Sequence, residues 1–283
     1  NHFTFLGYRS FGIDRRKKSF RVDTESGLGL MADPDYTVMR DRDGNFAHWS
    51  PELSDFAEDR SPILIIKANR RSTVHRGVHF DLIAVRRYDA KGKTAGEHLF
   101  VGLFTSAAYN RSPREIPLLR GKVQRTIERA GFAPSSHDGK ALINVLETYP
   151  RDELFQATDE ELYRNALAVL HLAIRPRPRL LTRCDRFERF LSAVVYVPRE
   201  RYNTELRMRL GTILCTALGG RVASWEQSCD AEGLARVHFV IALQGGVPED
   251  FDADDTERAI IRAVRSWNDL LLEALIERHG ESE

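Results

Sequence analysis

Three cysteines, Cys184, Cys215 and Cys229, are all that a chain of 283 residues contains, and no two stand in a CxxC spacing. An odd, scattered set of that kind excludes a disulfide framework and argues against a structural zinc site; a reducing compartment suits it better. Long apolar runs are missing too. None approaches the ~18 residues that span a bilayer. Net charge is almost absent: 42 Lys and Arg face 41 Asp and Glu, giving a formal +1. No global field therefore points to nucleic acid or to a membrane surface.

What is present is ordinary for a globular protein, with 42% hydrophobic and 29% charged residues. The length suits about two domains at roughly 100–200 residues each. The chain opens at Asn1 directly into the strand-like His2-Phe3-Thr4-Phe5-Leu6-Gly7-Tyr8. It closes on Gly280-Glu281-Ser282-Glu283 after a helical pattern. Both ends are read as cuts from a longer polypeptide.

Residues 1–110 read as mostly β. Two N-terminal strands flank the polar stretch Asp14–Lys18. A loose section follows, with a short helix expected near Ser50-Pro51-Glu52-Leu53. Three stronger strands come next, the last two flanking the turn Asp89-Ala90-Lys91-Gly92-Lys93. Two strands, a helical middle and three strands is the order of a PAS-type sensor fold.

Residues 111–178 switch to helix and read as a linker. Ile116, Leu119, Val123 and Ile127 share one stripe, and Gly131 stands where a C-terminal cap belongs. Leu142, Val145, Leu146 and Tyr149 form a second stripe, stopped by Pro150. Thr158 and Glu161 match a capping box that opens a third helix, ended by Pro176 and Pro178.

Residues 179–283 read as ββαββα. Asn203 is placed to cap the first helix, and Gly219-Gly220 to end it. The last helix carries Ile260, Val264, Trp267, Leu271 and Leu275 on one stripe. The order implies a ferredoxin-like sheet in which the extra N-terminal strand takes the place of the usual last one, with two helices on one face. ACT domains use that arrangement, and so do RNA-recognition domains. The whole chain is thus expected to be α+β.

Several strings could carry chemistry. Gly27-Leu28-Gly29-Leu30-Met31-Ala32 matches GxGxxA, but a dinucleotide site needs a helix after it, and Asp33-Pro34-Asp35 would break one. His75 and His79 are four apart, but Gly77 and β-type neighbours argue against a helical zinc pair. In His137-Asp138-Gly139-Lys140 the simpler reading is a helix cap at Ser136 or Asp138. Arg114, Arg120, Lys122, Arg125 and Arg129 make the first helix basic. Arg120, Lys122, Arg125 and Arg129 form a candidate face for docking another domain. The loop Pro198-Arg199-Glu200-Arg201-Tyr202-Asn203 joins a strand to a helix, so Arg199, Tyr202 and Asn203 are candidates for an effector or interface loop. It has no glycine to let a ligand reach the backbone. No residue is assigned to catalysis, cofactor or metal.

Four strings resemble one family: ILIIKANRRSTVHR (63–76), LFVGLFTSAAYNRSPREIPLLRGKV (99–123), SSHDGKALINVLETYPRDELFQ (135–156) and VVYVPRERYNTELRMRL (194–210). They are similar to the N-terminal half of the large bacterial NAD-specific glutamate dehydrogenases, the very long-chain class. The resemblance covers essentially the whole chain. It implies a parent enzyme that oxidises L-glutamate to 2-oxoglutarate and ammonia with NAD, in the cytoplasm. The catalytic residues and the NAD domain of that family lie in its later half, which no segment here resembles. The implied role is a non-catalytic regulatory or assembly segment without a cofactor of its own. Its implied partners are the rest of the polypeptide, further subunits in a homo-oligomer and an amino-acid effector, with no nucleic acid or membrane. The alternatives are a free-standing amino-acid-sensing module and an RNA-binding ferredoxin-like domain.

Overall fold

A computed structural model describes residues 2–14, 19–40, 46–47, 62–75, 77–185, 188–229 and 233–265. The turn at 15–18, the helix expected near Ser50–Leu53 and the stripe positions Trp267, Leu271 and Leu275 lie outside the described residues. The chain is α+β and divides into two compact units, Asn1–Tyr163 and Arg164–Glu283.

In the first unit, β1 (Phe3–Asp14), β2 (Ser19–Gly29), β5 (Ile63–Arg71), β6 (His79–Tyr88) and β7 (Thr94–Phe104) form an antiparallel sheet in the order β2-β1-β7-β6-β5. A two-residue pair, β3 (Met39–Arg40) and β4 (Phe46–Ala47), stands apart. The β6–β7 turn is locked by Asp89, whose Oδ1 accepts from the Lys91 and Lys93 N–H groups, each at 2.9 Å. One sheet face carries Phe11, Leu82, Ala84, Leu99 and Val101, all buried. Burying each large aliphatic side chain there contributes roughly 1.5–3 kcal/mol.

The GxGxxA string has a structural use. Gly29 ends β2 with φ of 59°, and a Cβ there would lie 2.3 Å from the Leu6 carbonyl oxygen. A short 3-10 turn follows at Leu30–Ala32, not the helix a dinucleotide site requires. The carbonyls of the next segment converge on Arg9, which is fully buried. Its Nη2 donates to the Met31 and Asp33 oxygens, each at 2.6 Å, and its Nη1 to the Tyr36 oxygen at 3.2 Å. One buried guanidinium thus satisfies carbonyls that this non-repetitive segment has no ladder to pair.

The helices of this unit are α1 (Ser106–Asn110), α2 (Leu119–Ala130), α3 (His137–Thr148) and α4 (Arg151–Gln156), with α5 (Asp159–Ile174) beginning at its end. Gly131 caps α2 in the left-handed region at φ 69°. Ser136 Oγ accepts from Gly139 N at 3.0 Å to start α3. The box at α5 is reciprocal: Glu161 N donates to Thr158 Oγ1 at 3.2 Å, and Thr158 N to Glu161 Oε2 at 2.8 Å. The turn at α4 has no comparable signature in the sequence. Its Phe155 stacks on Phe104 with ring centroids 4.0 Å apart, fixing the helices against the end of β7.

In the second unit, β8 (Arg179–Cys184), β9 (Phe190–Pro198), β10 (Arg221–Cys229) and β11 (Leu234–Ala242) form an antiparallel sheet in the order β10-β11-β9-β8. The extra N-terminal strand β8 pairs with β9 through a hairpin, in the place a ferredoxin-like fold gives its last strand. Helices α6 (Thr204–Leu218) and α7 (Ala253–Val264) cover one face. Leu206, Leu210, Leu214, Leu218, Ile260 and Val264 pack there on Leu191, Val195, Val197, Val237, Phe239 and Ile241. Alternation alone puts His238 on the polar side, but it is only 7% exposed. Its Nε2 lies 2.8 Å from the Ser192 hydroxyl on the neighbouring strand.

Candidate functional site

The β9–α6 loop begins with a 3-10 turn at Arg199–Arg201, held by a hydrogen bond from Arg199 N to the Gly233 oxygen at 2.8 Å. Arg199 is exposed. Asn203 is committed to the helix start: its Oδ1 accepts from Leu206 N at 2.7 Å. The Tyr202 hydroxyl donates to Gln227 Oε1 on β10. Partial burial raises the Tyr202 pKa, against the opposing pull of Arg207. The three candidates of this loop are thus neighbours in sequence with separate tasks. Tyr202 ties the loop to the edge strand.

That tie leads to a feature the sequence did not signal. Between α6 and β10 runs an open groove of about 510 Å³, lined by Arg207, Met208, Gly211, Cys215, Val222, Trp225 and Phe239 among others. Gly211 and Val222 fall at helix and strand positions that look unremarkable one by one. Only the packing of helix on sheet brings them together. Arg207 lies over the Trp225 ring, 4.0 Å from its centroid. Met208 is 62% and Trp225 43% exposed, a high value for large apolar side chains.

The basic helix face has partners within the chain. Lys122 Nζ donates to the carbonyls of Leu154 at 3.2 Å, Phe155 at 2.9 Å and Ala157 at 2.6 Å, closing the C-terminal end of α4. Arg125 Nε meets Asp159 Oδ2 at 2.6 Å, and Arg129 pairs with Glu160 while lying over the Tyr163 ring. Arg120 is exposed. These pairs join α2 to the first turn of α5.

The remaining strings fall outside both places. His75 adopts a positive φ of 62° in the β5–β6 turn, and His79 Nδ1 lies 2.9 Å from the Ala68 oxygen. His137 stands 94% exposed in side chain at the start of α3. Among the described residues, no group of three or more His, Cys, Asp or Glu is placed to hold a metal ion. No helix among them is long and apolar enough to cross a membrane.

Two family models match parts of the chain. Residues 116–175 match the family "Glutamate dehydrogenase, helical motif 1", and residues 179–268 match "Glutamate dehydrogenase, ACT2 domain". NAD-specific glutamate dehydrogenase of Halomonas elongata is 37% identical over 99% of this chain, and that of Pseudomonas aeruginosa 35% over 100%. This chain belongs to the NAD-specific glutamate dehydrogenase family. The enzyme of Mycobacterium tuberculosis is 33% identical over 96% of the chain. The chain spans only 17% of the length of the Halomonas and Pseudomonas relatives. Among solved structures, a blue-light activated histidine kinase of Erythrobacter litoralis aligns over 85% of the chain at 10% identity. Its TM-score of 0.21 is too low to carry an argument.

Proposed function

We propose that this chain is a non-catalytic regulatory and assembly segment of an NAD-specific glutamate dehydrogenase. The observation that carries the reading is the pair of matches to a helical motif and an ACT2 domain of glutamate dehydrogenase, within relatives about six times as long. In this reading the parent enzyme, cytoplasmic and homo-oligomeric, oxidises L-glutamate to 2-oxoglutarate and ammonia with NAD. NAD is held elsewhere in that polypeptide. The organisation is a PAS-like sheet at 1–110, a helical linker at 111–178 and an ACT-like domain at 179–283. The exposed Arg199 and the Tyr202 tie to β10 make the β9–α6 loop the place where an amino-acid effector would act. Arg120 is the member of the basic α2 face left for docking the rest of the polypeptide. Effector coupling requires differential contacts in two states.

The test has two arms. The purified 283-residue chain, given L-glutamate and NAD, should produce no NADH; glutamate-dependent turnover would overturn the proposal. In the intact enzyme, Arg199→Ala should leave kcat without effector unchanged and alter the response to amino acids. An unchanged response removes the effector role from this loop.

A further inference from the structure

Residues directly opposite one another on neighbouring antiparallel strands project to the same side of the sheet. The register of the first unit therefore sets one apolar row across five strands: Leu28 of β2, Tyr8 of β1, Phe100 of β7, Ile83 of β6 and Ile65 of β5. A second row beside it carries Ser10, His98, Val85 and Ile63. The Tyr8 hydroxyl lies 2.7 Å from His98 Nδ1, so the two rows pair polar atoms with each other. This face is opposite to the one that buries Phe11, Leu99 and Val101. Burial here is incomplete: Leu28 is 56% and Ile63 37% exposed, while Tyr8, Phe100, Ile83 and Val85 are half-buried. Contiguous apolar patches that reach solvent mark contact sites.

Further along the same strands, this face is already covered by helix. Phe155 of α4 stacks on Phe104 of β7, and Asp152 of α4 meets Lys67 of β5. The two apolar rows continue that covered strip. They span about 19 Å at the ~4.8 Å strand spacing and lie about 7 Å apart along each strand, a footprint of about 300 Å². A stable dimer takes about 800 Å² from each partner, so the patch is too small to hold a second copy by itself. One α-helix of about 13 residues, about 10 Å across, matches it. A tethered helix binds a small patch because the tether raises its effective concentration. The Halomonas and Pseudomonas relatives, of which this chain spans 17%, have the additional length to supply one.

We propose that this sheet face seats one amphipathic helix of the longer glutamate dehydrogenase polypeptide, from outside residues 1–283. The helix lies across the strands with its apolar stripe on Leu28, Tyr8, Phe100 and Ile83. The proposal rests on the reading of the chain as an assembly segment and names a surface and a partner for it. NADH production by the 283-residue chain overturns that reading, whereas a cross-link from position 28 reports only what touches the sheet.

Leu28→p-benzoylphenylalanine in the intact enzyme places a photo-cross-linker on the row at its most exposed position. Mass spectrometry should find it joined to a segment outside residues 1–283 whose apolar residues recur at i, i+3, i+4 and i+7. A second arm needs no variant. Hydroxyl-radical footprinting should oxidise Tyr8 and Leu28 readily in the 283-residue chain, and the intact enzyme should lose that oxidation. Four results overturn the proposal. They are cross-links confined to residues 1–283, a cross-linked segment without the helical stripe, equal oxidation of Tyr8 and Leu28 in chain and enzyme, and a dimer of the 283-residue chain in sedimentation that Leu28→Asp dissociates. The last would assign the face to a second copy.

Discussion

Lys67 Nζ, on β5, lies 3.1 Å from Asp152 Oδ1 on α4 and so ties the first sheet to the helices that follow it. The same ammonium is 2.6 Å from Asp81 Oδ1 on β6. Tyr109 donates to Asp152 Oδ1 at 2.9 Å, and Asp81 Oδ2 accepts from Phe104 N at 2.8 Å. Burial alone would pull the Lys67 pKa down, but Asp152 and Asp81 together raise it, so the ammonium stays charged. Lys67→Met removes the cation and leaves Asp81, 3% exposed in side chain, without its counter-charge. The expected loss is about 3–5 kcal/mol in urea unfolding of the first unit. Adding Asp81→Asn should restore part of it. Equal stability of Lys67→Met and wild type would show that this cluster holds nothing together.

Lys122 gives a second test. Its ammonium serves three carbonyls at the end of α4. Lys122→Met keeps the apolar stem and strips these acceptors of their donor, which should cost about 1–3 kcal/mol. Arg125→Ala, whose ion pair is largely solvent-exposed, should cost no more than about 1 kcal/mol, and Arg129→Ala should melt close to wild type. Thermal melts of the three variants read the ranking directly.

Glu97 makes the first unit sensitive to pH. It is 2% exposed on β7, opposite Arg86 on β6. Burial pushes its pKa up from 4.5 to about 7, only partly countered by Arg86. The folded chain then holds this proton more tightly than the unfolded chain. The Glu97 contribution is therefore fully present below about pH 4.5 and is lost as pH rises through about 7. The loss is roughly 3 kcal/mol over that window. Glu97→Gln should flatten this part of the stability profile, so the difference between wild type and variant changes across it. A constant difference from pH 4 to 8 would contradict the assignment.

Asn203 separates capping from ligand binding in the β9–α6 loop. Asn203→Ala should lower stability by about 1 kcal/mol, and Asn203→Asp should retain most of it. If the side chain only caps α6, Asn203→Asp also leaves any amino-acid affinity of the chain unchanged. Calorimetric titration of that variant decides the matter.

The sequence by itself determined features whose partners lie within a few residues. The Thr158–Glu161 box, the Ser136 and Asn203 caps, and the left-handed Gly131 and Gly219 all close hydrogen bonds inside one helical turn. Alternation along β11 was legible because a strand's two faces separate at every residue. The family was legible too, because long strings carry it. Tertiary structure alone decided where the charges went. The basic stripe of α2 reads as a docking face until packing sets Lys122 against α4 and Arg125 and Arg129 against α5. His238 reads as solvent-facing until Ser192 meets it. The groove forms where α6 packs on the sheet, which brings Gly211 of the helix and Trp225 of β10 into one lining. Contacts between residues far apart in the chain depend on how whole elements pack, and no local spacing encodes that geometry.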